Sequence, residues 1–209
     1  LADTGIPVHD IELARIVEGL DPRVYEPEIA VGAELGATGV LTSIWVPDRP
    51  FYLDAFGRLA DLVASYGMTL NLEFVPIAAV RNLAGAVDVL RETQRPNARL
   101  MIDLHHFHRS RDRVEDLDGL PPEWFEFCHL CDAPGEIPAD VEKMTHILRA
   151  ARSYVGEGGI NPAATLAHLP PLIYSIELPN EREEVERGAE GHARRCLETA
   201  KAYFAQPAA

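Results

Sequence analysis

The chain has 209 residues, and its 33 acidic side chains against 19 lysines and arginines leave a formal charge of −14, with histidine counted neutral. Such a balance repels polyphosphate, which excludes a nucleic-acid binder that works through its own surface charge. Apolar residues make up 47% and charged residues 25%, the mix of a globular protein, and no apolar run nears the roughly 18 to 20 residues that cross a bilayer.

Residues 1–5, ending in Gly5, read as the last turn of a helix with its glycine cap, so the chain is expected to begin inside a domain. Strand-like apolar or alternating runs then recur at residues 6–13, 39–46, 69–75, 100–104, 125–131 and 172–178. Helical spacing of apolar residues fills the intervals at 25–35, 52–66, 79–92, 139–151 and 184–204. The acidic run 181–190 reads as a helix N-terminus, where carboxylates complement the dipole. Strand starts lie roughly 30 residues apart, the length of a βα unit with a right-handed crossover between parallel strands. No glycine-rich turn follows an early strand, which disfavours a doubly wound sheet. The expected fold is an α/β (β/α)8 TIM barrel. It is expected as one domain over residues 1–209 that carries six of the eight units and lacks about two at the front.

Three cysteines, Cys128, Cys131 and Cys196, cannot all pair within one chain, and no secretory leader is visible. Both points suit a reducing, cytoplasmic setting. Cys128 and Cys131 stand three apart in a strand and face opposite sides, which disfavours a chelating pair. Cys128 and Cys196 read as packing residues, and Cys131 as core or pocket lining.

Ionisable residues stand at the C-terminal ends of four successive strands: Glu73, Asp103, His129 and Glu177. An unpaired buried charge is expensive, so these groups either share a cation or form a structural network of carboxylates on histidine. In a parallel barrel the C-terminal strand ends meet at one mouth, which would gather the four. Three carboxylates and an imidazole suit Mn²⁺, Mg²⁺ or Co²⁺, with Zn²⁺ also admissible, better than a thiolate zinc site would. His106, three beyond Asp103, is a candidate for binding substrate or handling a proton, and His108 and Arg109 are further candidates for an anionic or hydroxylated substrate. Glu12 and Trp45 end earlier strands and either line the pocket or pack under a loop. Glu157, in the glycine loop 156–159, either closes over substrate or serves a turn.

The segments 72–76, 103–106, 129–134, 156–160 and 175–177 resemble those of the sugar phosphate isomerase/epimerase family, the xylose isomerase-like TIM barrels. The resemblance runs through the chain from the family's third strand onward. It implies one divalent metal held by Glu73, Asp103, His129 and Glu177. It also implies proton transfer by Glu73 and Glu177 on opposite faces of a substrate carbon, and His106 on a substrate oxygen. The ketose 3-epimerases of the family carry an arginine six residues after the metal-binding histidine, where Gly135 stands here.

The implied reaction is isomerisation or epimerisation of a small carbohydrate or hydroxy-keto substrate through an enediolate. Metal-dependent dehydration of a hydroxylated keto acid or inositol-type ketone is the nearest rival, and a catalytically silent sugar-binding barrel is the rival from another class. Nucleic-acid and membrane partners are not expected. A homodimer is one assembly that barrels of this kind adopt.

Overall fold

A computed structural model describes residues 3–205. The chain divides into two compact units, Leu1–Met101 and Ile102–Ala209, and the division falls inside one strand.

The first unit contains β1 (Asp10–Ile16), α1 (Glu26–Glu34), β2 (Gly39–Ile44), α2 (Arg49–Ser65), β3 (Thr69–Glu73), α3 (Leu83–Thr93) and the start of β4 (Ala98–Asp103). Each strand pairs in parallel with the next in chain order. Every residue of β2 is buried, as expected for a parallel strand covered on both faces. Asp48 starts α2 by accepting the Phe51 N–H at 3.1 Å, with Pro50 in the first turn, where its missing N–H costs nothing. From there Ala55, Phe56, Leu59, Ala60 and Val63, three or four apart, form the buried stripe. Asn82 caps α3 on the Gly85 N–H at 2.9 Å. That cap is why α3 begins at Leu83 and not at the expected residue 79.

The second unit contains the end of β4, α4 (Leu104–Arg109), β5 (Phe127–Leu130), α5 (Val141–Ala150), α6 (Pro162–Leu166), β6 (Ile173–Ile176) and α7 (Glu181–Phe204). Here β4 pairs with β5 and β5 with β6, again in parallel. The acidic run does open a helix: Asn180 caps α7, and Glu181, Glu183 and Glu184 lie in its first turn. Gly188, at φ 70°, interrupts α7. Among the described residues no helix is long and apolar enough to cross a membrane.

Two departures from the sequence reading bear on function. The first strand begins at Asp10 rather than residue 6, so Glu12 is an exposed mid-strand residue and not a strand end. It borders a groove with Ile11, Leu13, Tyr25 and Pro27. The second departure is α4, a short helix that starts directly after Asp103 and carries His105, His106, His108 and Arg109. Of the expected glycine-capped first turn, Leu1 and Ala2 lie outside the described residues, while Asp3 to Gly5 form a turn with Gly5 at φ 66°.

Phe56 is fully buried, so Phe56→Ala is expected to cost about 3–5 kcal/mol in urea unfolding. Asp48→Ala should cost about 1 kcal/mol through loss of the α2 cap.

Candidate metal centre

Register places the site. Asp103, the last residue of β4, pairs with His129 of β5, and His129 pairs with Ser175 of β6. Glu177 lies two residues beyond Ser175, and its N–H donates to the Leu130 carbonyl at 3.3 Å. Paired residues in a parallel ladder share a face, as do residues two apart on one strand, so Asp103, His129 and Glu177 project together. One ligand atom from each lies within 4.8 Å of the others. His129 Nδ1 stands 3.0 Å from Glu177 Oε2 and 3.8 Å from Asp103 Oδ2. In the first unit Glu73, at the end of β3, is buried and in register with Met101.

The sequence reading missed the group that dominates the electrostatics. Arg152 is fully buried; its Nη1 lies 2.7 Å from Asp103 Oδ2 and its Nη2 lies 3.0 Å from Glu177 Oε2. Its Nη1 also reaches the Glu177 carbonyl at 3.2 Å and Cys131 Sγ at 3.4 Å, and its Nε donates to the Leu148 carbonyl at 3.1 Å. The backbone fixes this arginine from both sides. Asp132 bridges Ser153, Ala151 bridges Asn180, and the Asn180 side-chain amide donates to the Arg152 carbonyl at 2.7 Å. A signal was available in principle: buried carboxylates demand a cation, and arginine tolerates burial best.

Burial pushes the Asp103 carboxyl up, but Arg152, His106 and the hydrogen bonds around it outweigh that and hold it well below the usual carboxylate range. Burial raises the Glu177 carboxyl, with His129 opposing and Asp103 adding to the rise. The Glu177 side chain is 36% exposed although its Oε2 is buried, so one side of it faces solvent. Burial also raises the Arg152 problem, yet Asp103 in front, then Cys131 and Glu177, hold it charged. His106 is buried, receives the Asp103 cap on its N–H at 2.9 Å, and is pushed down to about 4 by burial. Burial takes His105 down to about 2. Both imidazoles are therefore neutral near pH 7.

The remaining candidates are placed as follows. His108 Nε2 donates to the Gly135 carbonyl at 2.9 Å, and Arg109 Nη2 donates to the Pro134 carbonyl at 2.6 Å. Trp45, just past β2, bonds Ser43 Oγ at 2.9 Å and lies under the Arg15 guanidinium. Glu157 is exposed and pairs with Arg195 of α7 at 2.6 Å, which ties the glycine loop to that helix. Asp132 organises the same loop: Oδ1 accepts the Ala133 and Ile160 N–H groups at 2.8 and 3.1 Å, and Oδ2 accepts that of Gly156 at 3.2 Å. A side chain at Gly158 would meet the Asp132 carboxylate. Cys128, Cys131 and Cys196 are all buried, and burial pushes the Cys128 and Cys131 thiols up to about 12.

The donor set fits a divalent cation. Two carboxylates and one imidazole converge beside one guanidinium, and oxygen-rich sites with one nitrogen suit hard or borderline ions. The profile described as xylose isomerase-like TIM barrel matches residues 26–199. The chain belongs to that family. An inosose isomerase of Bacillus subtilis (strain 168) is 26% identical over 132 residues, 60% of this chain and 45% of that protein, so the match spans less than half of the curated relative. Among solved structures, an IolI protein with a bound zinc atom superposes with a TM-score of 0.75 at 18% identity, over 96% of this chain and 78% of that one. The probable 3-DHS dehydratase AsbF from Bacillus anthracis does so with a TM-score of 0.74 at 17% identity, over 98% and 79%. These likenesses establish the barrel fold, of which this chain carries six parallel strands.

Two outcomes follow for the metal-free chain. Arg152→Met leaves Asp103 and Glu177 facing each other, and because Asp103 is fully buried the loss should approach 3 kcal/mol in chemical denaturation. The neutral His106 gives the second: an unfolded chain takes up its proton near pH 6.5, whereas the folded chain does so only near 4. The contribution of His106 to folding stability is then complete above pH 6.5 and falls by about 3 kcal/mol as pH drops to 4, and His106→Gln should remove that part of the slope.

Proposed function

We propose that this protein is a divalent-metal-dependent isomerase or epimerase of a small carbohydrate or hydroxy-ketone, working by proton transfer through an enediolate. The observation that carries the reading is the convergence of Asp103, His129 and Glu177, with ligand atoms within 4.8 Å of one another. Glu73 is the proposed fourth ligand. Its support is its place in the first unit: a buried carboxylate at the C-terminal end of β3, in register with Met101. The inosose isomerase relative and the zinc-bearing IolI neighbour support the activity class and the ion class. Manganese, magnesium, cobalt and zinc all match the donors.

A bound divalent ion supplies Lewis-acid polarisation of a substrate carbonyl and its neighbouring hydroxyl. The protein does the rest. Glu177, with its carboxyl raised by burial and one side open, takes the proton from the acidified carbon. Glu73 delivers a proton on the other face to give the epimer, and delivery at the adjacent carbon gives the isomer. Neutral His106 holds a substrate oxygen without adding a competing charge. Arg152, locked on Asp103 and Glu177, keeps Asp103 ionised, opposes the rise at Glu177 and aligns both carboxyls. It also puts a guanidinium at the site although Gly135 occupies the expected arginine position.

A dehydratase reading has one specific support, the AsbF neighbour. In that reaction the enolate expels hydroxide rather than being reprotonated, so an enone product would decide for it.

The test combines metal analysis with solvent exchange in D₂O across ketoses, hydroxy-keto acids and inositol-derived ketones. One divalent ion per chain is expected, with Asp103→Asn and His129→Gln losing it. Glu177→Gln should cut deuterium incorporation by roughly 10²–10⁴-fold. Unchanged exchange would remove Glu177 from the proton-transfer role.

A further inference from the structure

The second unit buries two arginines that are treated very differently. Arg152 faces two carboxylates and donates to two carbonyls; its Nη2 makes no hydrogen bond but stands 3.0 Å from Glu177 Oε2 as an ion pair. Arg109 is 3% exposed, and its one hydrogen bond runs from Nη2 to the Pro134 carbonyl. Its Nε and Nη1 are buried and meet no acceptor, and among the described residues no carboxylate stands within ion-pair distance. A guanidinium that only had to hold a carbonyl would need one donor and no charge. Leaving the charge and three N–H groups unanswered costs several kcal/mol unless something supplies an anion.

The surroundings say where that anion belongs. Arg109 lies on α4, whose first residue follows the metal-centre residue Asp103. His105 is four positions before it and His106 three, so all three share one side of this short helix. His105 Nε2 is also buried without an acceptor, and the ring is neutral. Arg109 is close enough to depress the proton affinity of both histidines. Burial lowers the affinity of Arg109 itself, as an uncompensated cation requires. Thus an unpaired guanidinium and a vacant imidazole nitrogen lie side by side next to the proposed reaction centre.

We propose that Arg109, assisted by His105, is the recognition group for an oxyanion, a carboxylate or a phosphate, on the substrate whose carbonyl end reaches Asp103, His129 and Glu177. An ionised oxygen is a stronger acceptor than the Pro134 carbonyl and takes over from it, because charge-assisted bonds to guanidinium are about twice as strong as neutral ones. The His108 bond to the Gly135 carbonyl holds the same segment over Arg109, so anion binding and the position of residues 133–135 are coupled. The substrate class is thereby narrowed from neutral polyols to acids or phosphate esters. The inference rests on the small-molecule reading of the site given above, but its test does not need turnover.

The metal-free 209-residue chain is titrated at fixed ionic strength with inorganic phosphate, with hydroxypyruvate as a carboxylate, and with xylose as a neutral control, using calorimetry and thermal shift. At least one of the two anions should bind and raise the melting temperature, xylose should do neither, and the anion that acts tells phosphate from carboxylate. Arg109→Met should weaken that binding at least tenfold. If this variant does not fold, Arg109→Lys, which keeps the charge but loses the planar fork, should weaken it several-fold. Equal affinity in the wild type and the folded variant, or no response to either anion at tens of millimolar, overturns the proposal. Arg109-dependent anion binding in a chain that takes up no metal would instead defeat only the isomerase reading.

Discussion

The contact between Arg152 and the Asp103 and Glu177 carboxylates governs the second unit. Parallel register brings Asp103, His129 and Glu177 onto one face whether or not the charges are welcome there. A fully buried carboxylate such as Asp103 is intolerable without a partner, and Arg152 is the partner at 2.7 Å. One guanidinium facing two carboxylates leaves negative charge whenever Glu177 is ionised, and the proposed divalent cation would answer that remainder.

Holding Arg152 in place explains much of the architecture around it. It follows α5 in an irregular segment that is strapped to residues 132 and 180 by isolated bridges. Asp132 spends its carboxylate on three N–H groups of the glycine loop and its neighbours, which leaves room there only for a glycine at 158. Behind that loop, the Tyr154 hydroxyl donates to His192 Nδ1 at 2.8 Å, and His192 Nε2 donates to the Leu178 carbonyl at 2.9 Å. The residue next to Glu177 is therefore anchored to α7. Polar contacts of this kind are expensive when half made, and here each atom of the chain from Asp132 through Tyr154 to Leu178 has its partner.

The alternation of strands and helices was legible because parallel strands buried on both faces read as apolar runs, and their polar terminal residues stand out against that background. Glu73, Asp103, His129 and Glu177 were visible for this reason. Arg152 was not, since a basic residue just past an amphipathic helix is ordinarily a solvated complement to the helix dipole. Nothing local distinguishes it from Arg149, and its partner Asp103 is 49 positions away. Helix α4 escaped because six residues give too little periodicity, and its start depends on Asp103 serving as a cap while also facing the centre. Glu12 was misplaced for the opposite reason: the apolar residues from Ile6 precede the paired segment, and pairing, which decides where a strand ends, has no signature in a single run.

Two buried arginines in one unit allow a comparison that composition cannot. Both lie within reach of Cys131, both have left water, and both sit beside neutral histidines. For Arg152, Coulomb attraction to Asp103, Cys131 and Glu177 overcomes burial and raises its proton affinity; for Arg109, burial prevails and lowers it. The difference lies in the partners supplied, since desolvation acts on both. Arg152 is answered by two carboxylates, whereas among the described residues Arg109 has none within ion-pair distance. Leaving it open is costly in the empty protein and becomes favourable only when an oxyanion arrives, so the energy withheld from folding is recovered as binding.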